Sequence, residues 1–288
     1  MTTKDHSFKF KGGRIGVLLV HGLCGTPSEM RFVATGLVRA GYTVHCPQLA
    51  GHGGSMDALK ATTWQDWYQT AETALIELRK ECDTVIVGGL STGALLGLLL
   101  AARHPDKVSG LTMYAPTFWL NGWLIPWYAR AFKIIRWKRL ANMIGFPNLH
   151  PHGIKDDRVR QFILQSLPSE DGKPAQFPAT PGGVVLEHRN LMKEVMRSIG
   201  AISQPALIIH PREDNFADLN NAMHLQRNLK GSVEMTVLDD SYHIVTVDRQ
   251  RNVVLERTIT FLDRLTGGTK TVKPSSKLTA VPAPALAA

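Results

Sequence analysis

The sequence predicts an α/β protein: a mostly parallel, doubly wound sheet with a helical insertion in its second half. Three observations predict it. Short, near-continuous apolar runs alternate with amphipathic stretches, most of the runs end at Gly, Pro or a polar turn, and the rhythm stops between 116 and 203 and then resumes. Such runs suit strands covered on both faces, and strand–helix alternation is the pattern of a parallel sheet.

In chain order, the first run is 15–20 (IGVLLV), which leads into His21-Gly22. Run 42–46 stops at Pro47, run 84–88 opens into Gly89-Leu90-Ser91-Thr92-Gly93, and run 110–115 follows. After the break come 206–210 and 233–238. Amphipathic stretches at about 28–40, 65–82, 92–103, 217–230 and 249–265 supply the helices, with Pro105 stopping the third and Gly231 the fourth. Ligands of such sheets bind beyond the carboxyl ends of the strands, so the chemistry is expected just after these runs. Residues 116–203 are rich in Trp, Pro and charge, offer no clear strand, and read as an inserted, mostly helical cap. The expected organisation is a core of 1–115 and 204–266, the cap at 116–203, and a basic tail, 267–288, too poor in apolar side chains to order itself. There is no internal repeat.

A chain of 288 residues with 44% hydrophobic side chains can bury roughly three-quarters of its unfolded surface in one large domain. Its three cysteines, Cys24, Cys46 and Cys82, form no CxxC pair and read as free thiols in a reducing compartment. The polar start reads as no secretory signal, and the apolar stretch 94–102 falls short of the roughly 20 residues that span a bilayer. A soluble cytoplasmic protein is expected. The net charge of +9 is concentrated: Lys270, Lys273 and Lys277 in the tail, and Arg130, Lys133, Arg136, Lys138 and Arg139 within 119–140, nearly account for it. Without a recognisable module, that distribution argues against nucleic acid. Neither a phosphate loop, a dinucleotide fingerprint nor a spaced Cys/His cluster is present, so no cofactor or metal is expected.

Gly89-Leu90-Ser91-Thr92-Gly93 stands between an expected strand and an expected helix. A turn sharp enough to lift a Ser Oγ above the sheet needs small neighbours where strand and helix crowd together, and the helix N-terminus favours developing negative charge. Ser91 is therefore the candidate nucleophile. The loop His21-Gly22-Leu23-Cys24-Gly25-Thr26-Pro27 can present backbone N–H groups to a substrate carbonyl, and the candidate oxyanion donors are the N–H groups of Leu23 and Thr92. His21 reads as a loop-holding residue and Cys24 as a small packed side chain. In hydrolases built this way the triad runs in the order Ser, acid, His. Asp214, after the run 206–210, is the candidate acid, and His243, after 233–238, the candidate base. Glu213, Asp218, Asp239 and Asp240 compete as acids but read as solvated loop charges. His210 reads as a packed strand-end residue, and His52 as part of the rim of the site.

These stretches resemble the bacterial carboxylesterases and monoacylglycerol lipases of the α/β-hydrolase superfamily. The resemblance is carried by 19–27 (LVHGLCGTP), Gly51-His52-Gly53, 63–67 (TWQDW), 89–93 (GLSTG) and 241–248 (SYHIVTVD), across most of 14–265. It implies an α/β-hydrolase fold, Ser91, Asp214 and His243 as triad, and Leu23 and Thr92 as oxyanion donors. Thr92 stands where the family often has Met, and Cys24 where it often has Thr. The cap of such enzymes is usually shorter than 116–203.

The expected activity is hydrolysis of carboxylic esters with an apolar acyl group, such as a small-molecule ester or a monoacylglycerol. Thioester hydrolysis or acyl transfer would use the same triad, and a catalytically silent binding module is the alternative of another class. Within 118–140, aromatic and aliphatic side chains interleave with the five basic ones. They read either as a cap helix covering the site or as a basic amphipathic helix making peripheral contact with an anionic membrane. The oligomeric state is left open.

Overall fold

The computed structural model describes residues 5–125, 127–166 and 179–267. Beyond Gly267, the stretch expected as a basic tail lies outside the described residues.

Nine strands are described: β1 (Phe8–Phe10), β2 (Ile15–Val20), β3 (Thr43–Cys46), β4 (Thr84–Leu90), β5 (Gly110–Tyr114), β6 (Gly145–Phe146), β7 (Thr180–Pro181), β8 (Ala206–Pro211) and β9 (Val233–Leu238). Seven form one sheet in the order β1-β3-β2-β4-β5-β8-β9, with β4 at its centre. All its pairs are parallel except β1 with β3. The helices are α1 (Arg31–Arg39), α2 (Met56–Ala61), α3 (Trp64–Glu81), α4 (Thr92–Arg103), α5 (Lys138–Ala141), α6 (Asp157–Ser166), α7 (Gly182–Ser198), α8 (Asn220–Asn228) and α9 (Arg251–Thr266).

Side chains of the central strands divide by parity. Leu18, Val20, Val85, Val87, Leu111, Met113 and Ile208 pack toward α3, α4, α7 and α8. Val17, Leu19, Ile86, Tyr114, Leu207 and Ile209 pack toward α1 and α9. Both faces are covered, which is why these strands carry unbroken apolar runs rather than alternation. The register sets Gly89 between Val20 and Met113, so β4 delivers its carboxyl end between the ends of β2 and β5.

The structure adds β1, α2 and the strand pair β6–β7 to the sequence expectations and corrects one of them. The edge strand β1 pairs Phe8 with Cys46 and Phe10 with Val44; its inward phenylalanines are buried, but three residues are too few to show a period. Helix α2 is opened by Ser55, whose side chain accepts from the Ala58 N–H. The stretch 118–140 is not one helix. The N–H groups of Asn121 and Gly122 donate to the Phe216 carbonyl and that of Leu124 to Asn215, so these donors serve the facing loop instead of a helical ladder. A 3₁₀ stretch, Trp127–Ile134, and the short α5 follow. The 116–203 region also holds the two-residue pair β6–β7, while its long helix α7 joins the main core through Val184, Leu191 and Val195. Among the described residues, no helix is long and apolar enough to cross a membrane.

Candidate active site

Ser91 joins the central strand to α4 at φ 55°, ψ −114°, a conformation costly for a residue with a Cβ. The two glycines that flank it are explained by backbone contact. A Cβ on Gly89 would stand 2.2 Å from the Gly93 carbonyl oxygen, and one on Gly93 would stand 2.2 Å from that of Val20. Strand, turn and helix can approach this closely only without side chains at those positions. Ser91 Oγ donates to Thr117 Oγ1 at 3.2 Å, and the Thr117 hydroxyl in turn donates to the Ala115 carbonyl at 3.0 Å.

The loop after β2 is held from below. Leu49 N–H donates to His21 Nε2 at 3.1 Å, which leaves the His21 proton on Nδ1, donated to the Gly22 carbonyl at 2.9 Å. Burial, reinforced by neighbouring His52, pulls the His21 imidazole down to about 3, so it stays neutral. His21 is thus a loop-holding residue, as the sequence suggests. Cys24 takes a left-handed backbone (φ 59°), and burial pushes its thiol up to about 12, leaving it a packed side chain rather than a thiolate. Neither the Leu23 nor the Thr92 N–H donates to a protein acceptor among the described residues, while the neighbouring Gly22, Gly25 and Ala94 N–H groups all do. His52 departs from its expected place on the rim. It is buried, its ring edge-on to His21 at 5.1 Å and to Trp67 at 5.5 Å.

Asp214 and His243 meet after β8 and β9. His243 Nδ1 lies 2.8 Å from Asp214 Oδ2 and 3.0 Å from Oδ1, with the carboxylate fully buried. Burial alone would raise the Asp214 carboxyl. The charge and hydrogen bond of His243, nearby His210, and the Ala217 N–H outweigh it and hold the group below its ordinary value. The Phe216 and Ala217 N–H groups donate to Asp214 Oδ1 at 2.8 and 2.9 Å. An ionised, fully hydrogen-bonded acid beside Nδ1 fixes the tautomer that leaves Nε2 free to accept a proton. His210 lies under this pair, bonded to the Ala217 carbonyl. The rival acids point elsewhere: Glu213 and Asp240 to Lys155, Asp239 to Arg212, and Asp218 to the start of α8.

Ser91 and His243 line one cavity of about 780 Å³, together with Leu23 and a largely apolar wall from Phe118 to Phe132, from α7 and from Phe216. Four contributors escaped the sequence reading. Thr117 holds the Ser91 hydroxyl. Glu29 takes the Gly22 N–H at 3.1 Å. His188 of α7 pairs with Thr92 Oγ1 at 2.9 Å. Asp248 collects the N–H groups of Tyr242, Lys155, Asp156 and Arg249, stapling the His243 loop to residues 155–156. Only Asp248 left a trace, as the final residue of the 241–248 motif; Thr117 and His188 make contacts across long sequence distances, and Glu29 belongs to no motif.

The model of the Hydrolase_4 family, described as serine aminopeptidase S33, matches residues 14–250. The chain belongs to this family. A thermostable monoacylglycerol lipase from Bacillus sp. (strain H-257) is 32% identical over 90% of this chain and 95% of its own length. A carboxylesterase from Bacillus subtilis (strain 168) is 24% identical over 90% of this chain and 96% of that protein. The solved structure from LipS and LipT, two metagenome-derived lipolytic enzymes, superposes with a TM-score of 0.73 at 28% identity, covering 90% of this chain and 97% of that one. A soluble variant of the Saccharomyces cerevisiae monoglyceride lipase, at 18% identity and a TM-score of 0.73 over 92% of each chain, shares the fold. The mostly parallel seven-stranded sheet with flanking helices is the α/β-hydrolase fold of these Hydrolase_4 relatives.

Proposed function

We propose that this chain hydrolyses carboxylic esters with an apolar acyl group, monoacylglycerols or short- to medium-chain esters, through Ser91, His243 and Asp214. The observation that carries this reading is the buried Asp214–His243 pair opening onto the same apolar cavity as Ser91 at its strained turn. In the reaction, the Ser91 hydroxyl turns from Thr117 to His243 Nε2 by rotation about its own side-chain bond. His243 takes the proton as Oγ attacks the ester carbonyl, and Asp214 stabilises the imidazolium. The Leu23 and Thr92 N–H groups receive the oxyanion, helped by the α4 N-terminus. The imidazolium protonates the leaving alcohol, and water activated by the same His243 releases the acid from Ser91.

In this reading residues 116–203 are the cap that supplies the acyl wall, and their outer face meets lipid. Trp127, Ile134, Trp137 and Met143 are between 70% and 82% exposed, with Lys133, Arg136 and Arg139 exposed among them. Large apolar side chains held in water beside cations fit the surface of an anionic bilayer. Hydrolysis of p-nitrophenyl esters from C2 to C16 tests the substrate class: kcat/KM should rise from C2 to a medium chain length. A flat or falling series would contradict an apolar acyl pocket. Co-sedimentation with phosphatidylglycerol vesicles tests the outer face, and equal binding by a W127A/W137A variant would refute it.

A further inference from the structure

Glu29 is a carboxyl group that the mechanism above does not use, yet it faces the reacting atoms. It lies in the 3₁₀ turn Pro27–Met30 and lines the cavity shared by Ser91 and His243. A Cβ on Gly22 would stand 3.4 Å from Glu29 Oε2 and 3.6 Å from Ser91 Cβ. A Cβ on Gly25 would stand 2.3 Å from both carboxyl oxygens, so the glycine there makes room for this group. Gly22 is gripped at both ends. Its N–H donates to Glu29, and its carbonyl accepts from His21 Nδ1 and from the Gly25 N–H at 3.2 Å. That carbonyl belongs to the same peptide unit as the Leu23 N–H, so what holds Gly22 aims the oxyanion donor.

We propose that Glu29 is a positioning residue: its carboxyl accepts the Gly22 N–H, anchoring the residue whose carbonyl shares a peptide with the Leu23 N–H, and it couples electrostatically to His243 across the cavity. The inference rests on the triad reading given above. Burial pushes the Glu29 carboxyl up to about 7, against the opposing pull of the Gly22 N–H and of a charged His243. The other titratable groups facing it are Cys24 in the loop and Cys46 at the end of β3. Both thiols are raised, chiefly by burial, and stay neutral. Arg31, two residues on from Glu29, is turned onto the Phe8 ring at 5.2 Å. His243 lines the same cavity, and a positive charge on it favours the ionised Glu29 carboxyl. An anion at position 29 in turn favours a positive charge across the cavity.

The test uses the full chain carrying E29Q, which keeps an acceptor for Gly22 without the charge, and E29L, which keeps neither. The acid limb of kcat/KM in E29Q should move to lower pH by about half a unit or more. E29L should lose at least about tenfold in kcat with KM within about threefold, as expected for a misaimed oxyanion donor. E29Q should recover kcat to within about threefold of the parent. An acid limb that superimposes on the parent, or an E29L kcat within about twofold of it, overturns the inference. If circular dichroism shows E29L unfolded, the E29Q limb alone decides. S91A run in parallel separates the two ideas. Activity surviving in S91A overturns the triad, whereas an inactive S91A with a parental E29Q profile overturns the Glu29 role alone.

Discussion

Lowering the pH from 7 to 5 should unfold this protein far more readily than titration of its carboxylates would. Five buried histidines are held neutral, chiefly by burial: His210 is lowered, and the other four are pulled down, His21 to about 3 and His45, His52 and His188 to about 4. In the unfolded chain each titrates near 6.5. Between those values the unfolded state binds protons that the folded state refuses, so stability present above pH 6.5 is lost as the pH falls toward 4. At pH 5 each such histidine costs about 2 kcal/mol relative to pH 7, or about 8 kcal/mol for the four. Glu29 works in the opposite sense. Its carboxyl, raised to about 7 in the fold, contributes instability above its unfolded value that vanishes as the pH falls, returning about 2 kcal/mol. Carboxylates held low, Asp214, Glu72 and Glu194, act only below about pH 4.5. The net loss, about 6 kcal/mol, is comparable with the whole stability of an ordinary domain. Urea unfolding followed by tryptophan fluorescence at pH 7, 6 and 5 should show a steep fall in midpoint with little change in m. H188Q, which cannot titrate, should recover about 2 kcal/mol, roughly a third of the net loss. A midpoint unchanged between pH 7 and 5 would refute the reasoning.

Two substitutions probe the site directly. On the proposed triad, D214N keeps the shape of the acid but removes the charge that would set the tautomer of the neutral His243 ring and stabilise its imidazolium; kcat should fall by about 10³–10⁴ with KM little changed, read from steady-state ester hydrolysis. G93A would place a methyl 2.2 Å from the Val20 oxygen and 2.6 Å from the His21 oxygen, both backbone atoms. Thermal unfolding should show a loss of about 1–3 kcal/mol, and kcat should fall further than stability alone explains, because the first residues of the oxyanion loop must move.

What could be read from the sequence follows from how local each cause is. The central strands were legible because a sheet covered on both faces needs unbroken apolar runs, and Leu18 and Leu19 do point to opposite layers. The turn at Ser91 was legible because one of its glycines answers a local contact, Gly89 with the Gly93 carbonyl, although Gly93 itself meets Val20 on the neighbouring strand. Asp214 and His243 could be chosen over nearby rivals by their place after β8 and β9, and the structure brings these two together. Thr117, Glu29 and His188 carried no such mark. Each acts through a partner on another element, and a Thr, a Glu or a His at those positions has no pattern of its own. The stretch 118–140 was misread as one helix because its composition is amphipathic, while its backbone donors are claimed by residues 215–216, about ninety residues along the chain. His52 looked like a loop residue at a rim because Gly51 and Gly53 surround it, yet its ring fills the space between His21 and Trp67.

The central claim is that Ser91 is a nucleophile activated by His243. Active-site labelling with a fluorophosphonate probe, followed by peptide mass spectrometry, tests it most directly. The account predicts one phosphonylated peptide carrying Ser91, no labelling of S91A, and labelling slowed by about a hundredfold or more in H243A, the scale of a lost general base. Labelling of S91A at the parental rate, or of another serine in the parent, would contradict it.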